Sequence, residues 1–478
     1  MKNFLLHLLH QPICLVVAVL VLVYGSILQN DYAIAESEEG DSEHKREYVV
    51  VKDPGVMFEI SGYLDATYGH INQDGLFTDI TNGSFQCGND MDRCKMKNNV
   101  FSTNSLIKFD ITKRISDILK YGVILKLNAN PSKENNGDSQ NASATYAFLE
   151  TNFGKIEIGS NSGAGELMKY SVSKIAAGTG GVGGNWKYWT GGQARFVGEG
   201  DDRERVKFLF LDSPSLPYSA DNVKKSNKIT YMSPRIGGAA VGISYIPDVN
   251  FVGTTYGIKE VSQYGYNNVI DMAVNYEKHI GDTSVKVFAT TELGQAKTLL
   301  YHDTVSSTKV TKERNVHNLF AWEIGSEIDI KQTRNDNLYM RFLLTYANLG
   351  KSGMLYNVKL KNNMKQQSNF ITAGFSLDID DNKRASITYM RSLSAGRTGF
   401  YDINGKTEFV GYEGYDSADT NTSTYLNRTS AYSLGMDYKI SDGLLTYAEV
   451  TLFDYDTPIS SIKSNRGVAF LAGASISF

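Results

Sequence analysis

Apolar and polar residues alternate with period two over long stretches of this chain, and nothing else in it restricts the fold as much. In residues 58–68, Phe58, Ile60, Leu64, Ala66 and Tyr68 share one face, and Glu59, Ser61, Asp65 and Thr67 share the other. This is the side-chain period of a strand, and a 3.6-residue helical period does not fit it. The pattern returns at Trp322, Ile324, Ile328 and Ile330 against Glu323, Glu327 and Asp329, and at Tyr432, Leu434, Met436, Tyr438 and Ile440 against Ser433, Asp437 and Lys439. Alternation alone suits a soluble sandwich as well as a barrel. Length separates them: many stretches run about 11 to 13 residues, where globular strands have a mode of about five or six and crossing a bilayer takes about 9 to 11.

The connections alternate too. Seven short turns (near Arg114, 152–155, 233–237, 280–282, 332–336, 380–383 and 441–442) interleave with eight long polar loops, so fifteen connections join sixteen strands. An even strand number with short turns on one side and long loops on the other is the pattern of a single-chain outer-membrane barrel. Past the N-terminus no apolar run reaches the length of a spanning helix, which excludes a helical membrane protein. The fold expected is all-β, a 16-stranded antiparallel transmembrane β-barrel. Closure pairs the last strand with the first, because an open edge in lipid leaves backbone groups unpaired. Aromatics near strand ends, among them Tyr68, Phe101, Tyr346, Tyr389 and Phe478, suit interfacial girdles. Lys and Arg number 48 against 52 Asp and Glu, with no basic stripe, so nucleic acid is not an expected partner.

The N-terminus indicates export. Met1 and Lys2 precede an apolar run from Ile13 to Tyr24, and Ala33 and Ala35 then form an A-x-A cleavage box, so residues 1–35 read as a signal peptide. Residues 36–56 read as a charged periplasmic segment and 57–478 as the barrel. Cys87 and Cys94 lie in one polar loop, where an exported chain more naturally holds a disulfide than a metal, and no His stands beside them.

Two stretches carry a family resemblance. Residues 149–159, LETNFGKIEIG, resemble the strand-turn-strand before the constriction loop of Gram-negative general porins, especially of the alphaproteobacterial type. Residues 228–238, KITYMSPRIGG, continued by GISYIPD at 242–248, resemble the strand pair after it. The terminal Phe478 resembles the C-terminal aromatic that barrel-insertion machinery reads in outer-membrane proteins. The resemblance implies a trimeric, non-enzymatic, passively conducting protein in the outer membrane of a Gram-negative bacterium, without a cofactor. It also implies that the connection 160–225 folds into the barrel as a constriction loop; the strand-like stretch 203–211 is then loop, not wall.

A barrel of sixteen strands leaves an aqueous channel, and the charges at its narrowest level set what passes. Acidic residues available in the inserted loop are Glu166, Glu199, Asp201, Asp202 and Glu204, and Glu166 stands where the family tends to carry an acid. Basic residues on lumen-facing phases are Lys108, Lys126, Lys286 and Arg341; the family's placement of its basic wall on early strands favours the first two. Ser160 departs from the family, which often has a basic residue after the glycine matching Gly159. The function expected is passive diffusion of ions and small hydrophilic solutes, with outer-membrane lipid and further copies of the chain as partners. The alternatives are a plugged barrel serving as a surface adhesin or receptor, or a barrel enzyme active at its rim, for which His302 and Asp303 form the adjacent pair. The run Gly178, Gly180, Gly183 has dinucleotide-site spacing, yet more glycines follow instead of a helix, so it reads as flexible loop.

Overall fold

The computed structural model describes residues 51–53, 55–73, 99–130, 142–190, 194–197, 204–207, 223, 225–253, 265–297, 299–305, 308–314, 317–332, 338–352, 359–360, 368–380, 382–395, 399–403, 406–410, 423–424, 426–456 and 465–478. Among these, sixteen strands of 6 to 18 residues join in one antiparallel sheet. The first eight are β1 (Val56–Gln73), β2 (Asn99–Ser116), β3 (Leu119–Asn128), β4 (Ala142–Thr151), β5 (Gly154–Ser160), β6 (Asn227–Met232), β7 (Ala239–Asp248) and β8 (Tyr266–Ile280). The rest are β9 (Thr283–Ala296), β10 (Leu319–Gln332), β11 (Leu338–Gly350), β12 (Ser368–Ile379), β13 (Lys383–Ala395), β14 (Leu426–Ser441), β15 (Leu444–Asp456) and β16 (Asn465–Ser477).

Each strand pairs with its neighbour in sequence, and β1 pairs with β16 from Tyr63 opposite Ser477 to Gln73 opposite Gly467, so the sheet closes. At the seam the Gly62 N–H donates to the Phe478 carbonyl at 2.9 Å, and the Phe478 N–H donates to the Gly62 carbonyl at 3.1 Å. The last residue is thus a rung of the ladder. A short strand, Val51–Asp53, folds back on residues 56–58 and continues the row that β16 leaves, so pairing begins ahead of the expected boundary at 57. The turn expected near Arg114 lies at Asp117 and Ile118, because Arg114 still pairs with Lys120.

The alternation becomes an apolar outer and a largely polar inner face. Leu64, Ile387 and Leu434 are exposed outward, while Thr67, Thr388 and Ser433, in the opposite phase, are buried inward. Only lipid makes such an outer face favourable, because water would penalise every one of these side chains. Near the ends of the strands on the long-loop side, Tyr68 packs on Phe101 and Trp322 on Tyr346, with ring centroids 5.1 Å and 5.5 Å apart. Among the described residues no helix is long and apolar enough to cross a membrane. The strand-like stretch near 203–211 contributes Glu204–Lys207, which pairs with Ala194–Val197 in a separate two-stranded sheet and takes no place in the wall.

Candidate functional site

After β5 the chain turns into the barrel through α1 (Ala164–Met168), α2 (Val172–Ile175), a 3₁₀ turn (Gly181–Gly183) and α3 (Trp186–Trp189). Helix α1 packs on β6 to β9, α2 on β11 and β12, the 3₁₀ turn on β13 to β15, and α3 on β16 and β1. The segment therefore coats the inner wall from β6 round to β1 and leaves the arc β2 to β5 facing it.

Apolar packing provides one of its attachments. Ile71, Leu343, Met390, Phe453 and Leu471 interrupt the polar inner face and pack against Val172, Ile175, Val182 and Trp186 in one buried cluster. The Trp186 ring stacks on Phe453 at 5.5 Å, and its indole N–H donates to the Val182 carbonyl at 3.0 Å. Trp189 lies over Gly69, where its ring occupies the space a Cβ would need.

Wall oxygens that accept backbone N–H groups provide the other. Asp271 accepts from Gly165 at 3.1 and 3.0 Å, Ser244 from Ala164 at 2.8 Å, and Ser386 from Ala177 at 2.8 Å. Asp437 accepts from Gly178 at 2.6 Å. Glu449 Oε2 accepts from the Thr179 N–H at 2.7 Å, the Thr179 hydroxyl at 3.1 Å and the Gly181 N–H at 3.3 Å. The reading of this glycine run as plain flexible loop is corrected: its N–H groups cradle a carboxylate of the protein's own wall. The left-handed φ of Gly178 (76°) and Gly181 (61°) turns those groups toward it, a conformation that costs a residue with a Cβ. A signal was available. Glu449 sits on the lumen-facing phase with Gly435 and Leu471 as its cross-strand partners, so no cation stands opposite it.

On the uncovered arc, Lys108 and Lys126 are direct cross-strand partners, and Ser61 and Ala144, their partners on the far sides, are small. Lys126 also feels the charges of Lys155, Lys225 and Glu157. Lys108 stands 3.4 Å from Asp110. Glu157 is held by Lys155 at 2.9 Å and by the Asn161 amide at 2.7 Å. Sequence reasoning passed over Lys155 and Lys228. The latter pairs with Gly159 on the neighbouring strand and donates to the carbonyls of Asn161 and, at 2.7 Å, Ser226, which puts a cation beside the position where Ser160 lacks one. Ser160 instead bonds to Asn227 and accepts the Gly253 N–H, tying down the loop base.

The other expected basic residues, Lys286 and Arg341, lie away from this arc and are engaged. Lys286 binds Glu327 at 3.0 Å and Asp329 at 2.8 Å; Arg341 binds Asp378 at 3.0 Å, and Arg384 shares that carboxylate at 2.7 Å. They belong to a ladder of alternating charges across β9 to β13. Glu166 lies on α1 and pairs with Lys169, itself 3.8 Å from Glu323. Glu199, Asp201 and Asp202 lie outside the described residues, as do Cys87, Cys94, Ala33 and Ala35; Glu204 is placed only as backbone of the loop hairpin. Lys187 on α3 is buried, donates to the Gly183 carbonyl at 3.3 Å, and burial pushes its ammonium down to about 8. Among the described residues no group of three or more His, Cys, Asp or Glu side chains is placed to hold a metal ion.

A closed sixteen-strand barrel, apolar outside and with a loop fastened across its inner wall, has the architecture of a porin. The family model of the Gram-negative porins matches residues 32–458, and the chain belongs to that family; its place is the outer membrane. An uncharacterized protein of Rickettsia felis is 24% identical over 480 residues, covering 90% of this chain and 94% of its own length. An uncharacterized protein of Rickettsia prowazekii, RP068, is 26% identical over 425 residues, covering 79% and 85%. Solved structures similar to this one include OmpT with loop L8 deleted, an outer membrane protein of Vibrio cholerae (TM-score 0.48, 12% identity, covering 89% of this chain and all of that one). Another is the outer membrane channel DcaP of Acinetobacter baumannii (TM-score 0.46, 13% identity, covering 89% and 99%).

Proposed function

We propose that the protein is a water-filled channel, not an enzyme, through which ions and small hydrophilic solutes diffuse passively, with residues 160–225 as the constriction loop. The observation that carries this reading is the path of the loop: it is fastened along β6 to β1, while Lys108, Lys126 and Lys155 on the facing arc remain partly accessible. A plug would bury them. Planar-bilayer recording of purified, folded protein tests it. Stepwise ohmic openings are expected, and silence from folded, heat-modifiable protein would refute the channel.

The reading includes a homotrimer. Its support is a small-residue spot on the outer face, where Ala66 lies between Ala474 and Thr103 and Ala472 stands beside it, whereas β14 presents Tyr432, Leu434, Met436, Tyr438 and Ile440. Small side chains allow two walls to approach closely in lipid. Mass measurement of the native detergent complex checks this, with three copies as the expected result. Residues 1–35 as a cleaved signal and the Cys87–Cys94 disulfide also remain part of the proposal; intact mass of the exported protein tests both.

A further inference from the structure

Among the described residues, lysines crowd one stretch of the uncovered wall. On the wall, Lys108 and Lys126 stand directly opposite each other across β2 and β3, an arrangement that a sheet disfavours unless a negative group lies between the two ammonium ions. Among the described residues the Lys126 ammonium has no ion pair, and the nearby acids are taken: Asp110 by Lys108 and the Thr112 hydroxyl, Glu157 by Lys155 and Asn161. Lys155 and Lys225 add to the same field.

On the facing side, the described loop residues 161–190 carry three cations, Lys169, Lys174 and Lys187, and one anion, Glu166. Glu166 is bound to Lys169, and Lys174 is exposed. The acids of the far wall are engaged behind the loop. Asp271, Asp437 and Glu449 accept its N–H groups, and Glu327, Asp329 and Asp378 bind Lys286, Arg341 and Arg384. The resemblance implies an acidic loop opposing a basic wall; of those acids Glu166 is held by Lys169, and Glu199, Asp201 and Asp202 lie outside the described residues, so on segment 161–190 the exposed charge is Lys174. Charges at a constriction act most strongly because little water separates them from the permeating ion.

Resting on the channel reading above, we infer that the constriction prefers anions and that small oxyanions carrying two charges lodge between Lys108 and Lys126. The test compares wild type with K108Q, K126Q and the double variant in planar bilayers, first by reversal potential in a potassium chloride gradient, then by titrating inorganic phosphate against the chloride current. Wild type reverses on the chloride side, with a permeability ratio of about three or more over potassium, and each single variant lowers that ratio about twofold. Millimolar phosphate reduces the chloride current of wild type and leaves that of the double variant unchanged. Ohmic openings that reverse on the potassium side overturn the inference while leaving the channel standing. Equal phosphate sensitivity in wild type and double variant overturns the Lys108–Lys126 site. The absence of any openings instead overturns the channel itself.

Discussion

Lys187 gives the inserted loop a charge that changes near neutral pH. Burial in α3 holds its ammonium at about 8, so it is charged below that value and neutral above it. As pH rises through about 8 the loop loses a positive charge, and if the inferred anion preference holds, the chloride-to-potassium permeability ratio is expected to fall before exposed lysines begin to titrate. K187R keeps its charge throughout, so its reversal potential is expected to stay flat over the same window. On the outer face the relevant solvent is lipid. Leu434, exposed midway along β14, becomes a charge at the bilayer centre in L434K, and the expected loss is about 2–4 kcal/mol in reversible unfolding from vesicles. The alternation shows Leu434 to face outward. Nothing in the local sequence shows Lys187 to be buried, because its environment is built by Gly183 and the folded loop around it.

At the scale of elements, the strands and the loop obey different rules. Each strand announces itself, since period two is a property of neighbouring residues. The loop segment 161–190 has no such period, and the wall groups that accept its N–H groups lie 80 to 270 residues further along the chain, at Ser244 and Glu449 among others. Charge-assisted hydrogen bonds of this type contribute about 1.5–3 kcal/mol each. Removing the Glu449 carboxylate removes three acceptor contacts at the 3₁₀ turn and leaves loop N–H groups unpaired. E449A is expected to raise open-channel noise and add sub-conductance levels in single-channel records. E449Q, which keeps a carbonyl oxygen at that place, restores quiet openings. Quiet openings from E449A would remove Glu449 from the positioning of the loop.

Across the whole molecule, stability depends on closure. Sixteen strands with lipid-facing apolar residues satisfy their backbone groups only when β16 meets β1, and the final rung uses both backbone groups of Phe478. Deleting Phe478 removes two hydrogen bonds and an aromatic at the seam. The expected outcome is slower folding into lipid vesicles, read as delayed appearance of the heat-modifiable band, with unchanged conductance in the molecules that do insert.

Strand number, the alternation of short and long connections and the outward face of each strand were all legible in the amino-acid order, because each is set by residues adjacent along the chain. The position of the inserted segment between β5 and β6 was legible through the stretches that flank it. Tertiary structure alone decided which inward charges border the passage. Lys286 and Arg341 share a lumen-facing phase with Lys126, yet register sets acids beside them, whereas the same rule sets Lys126 against Lys108. A charge is neutralised or left to act by what lies a few ångströms away, and in a closed barrel those neighbours come from strands and loops distant in sequence.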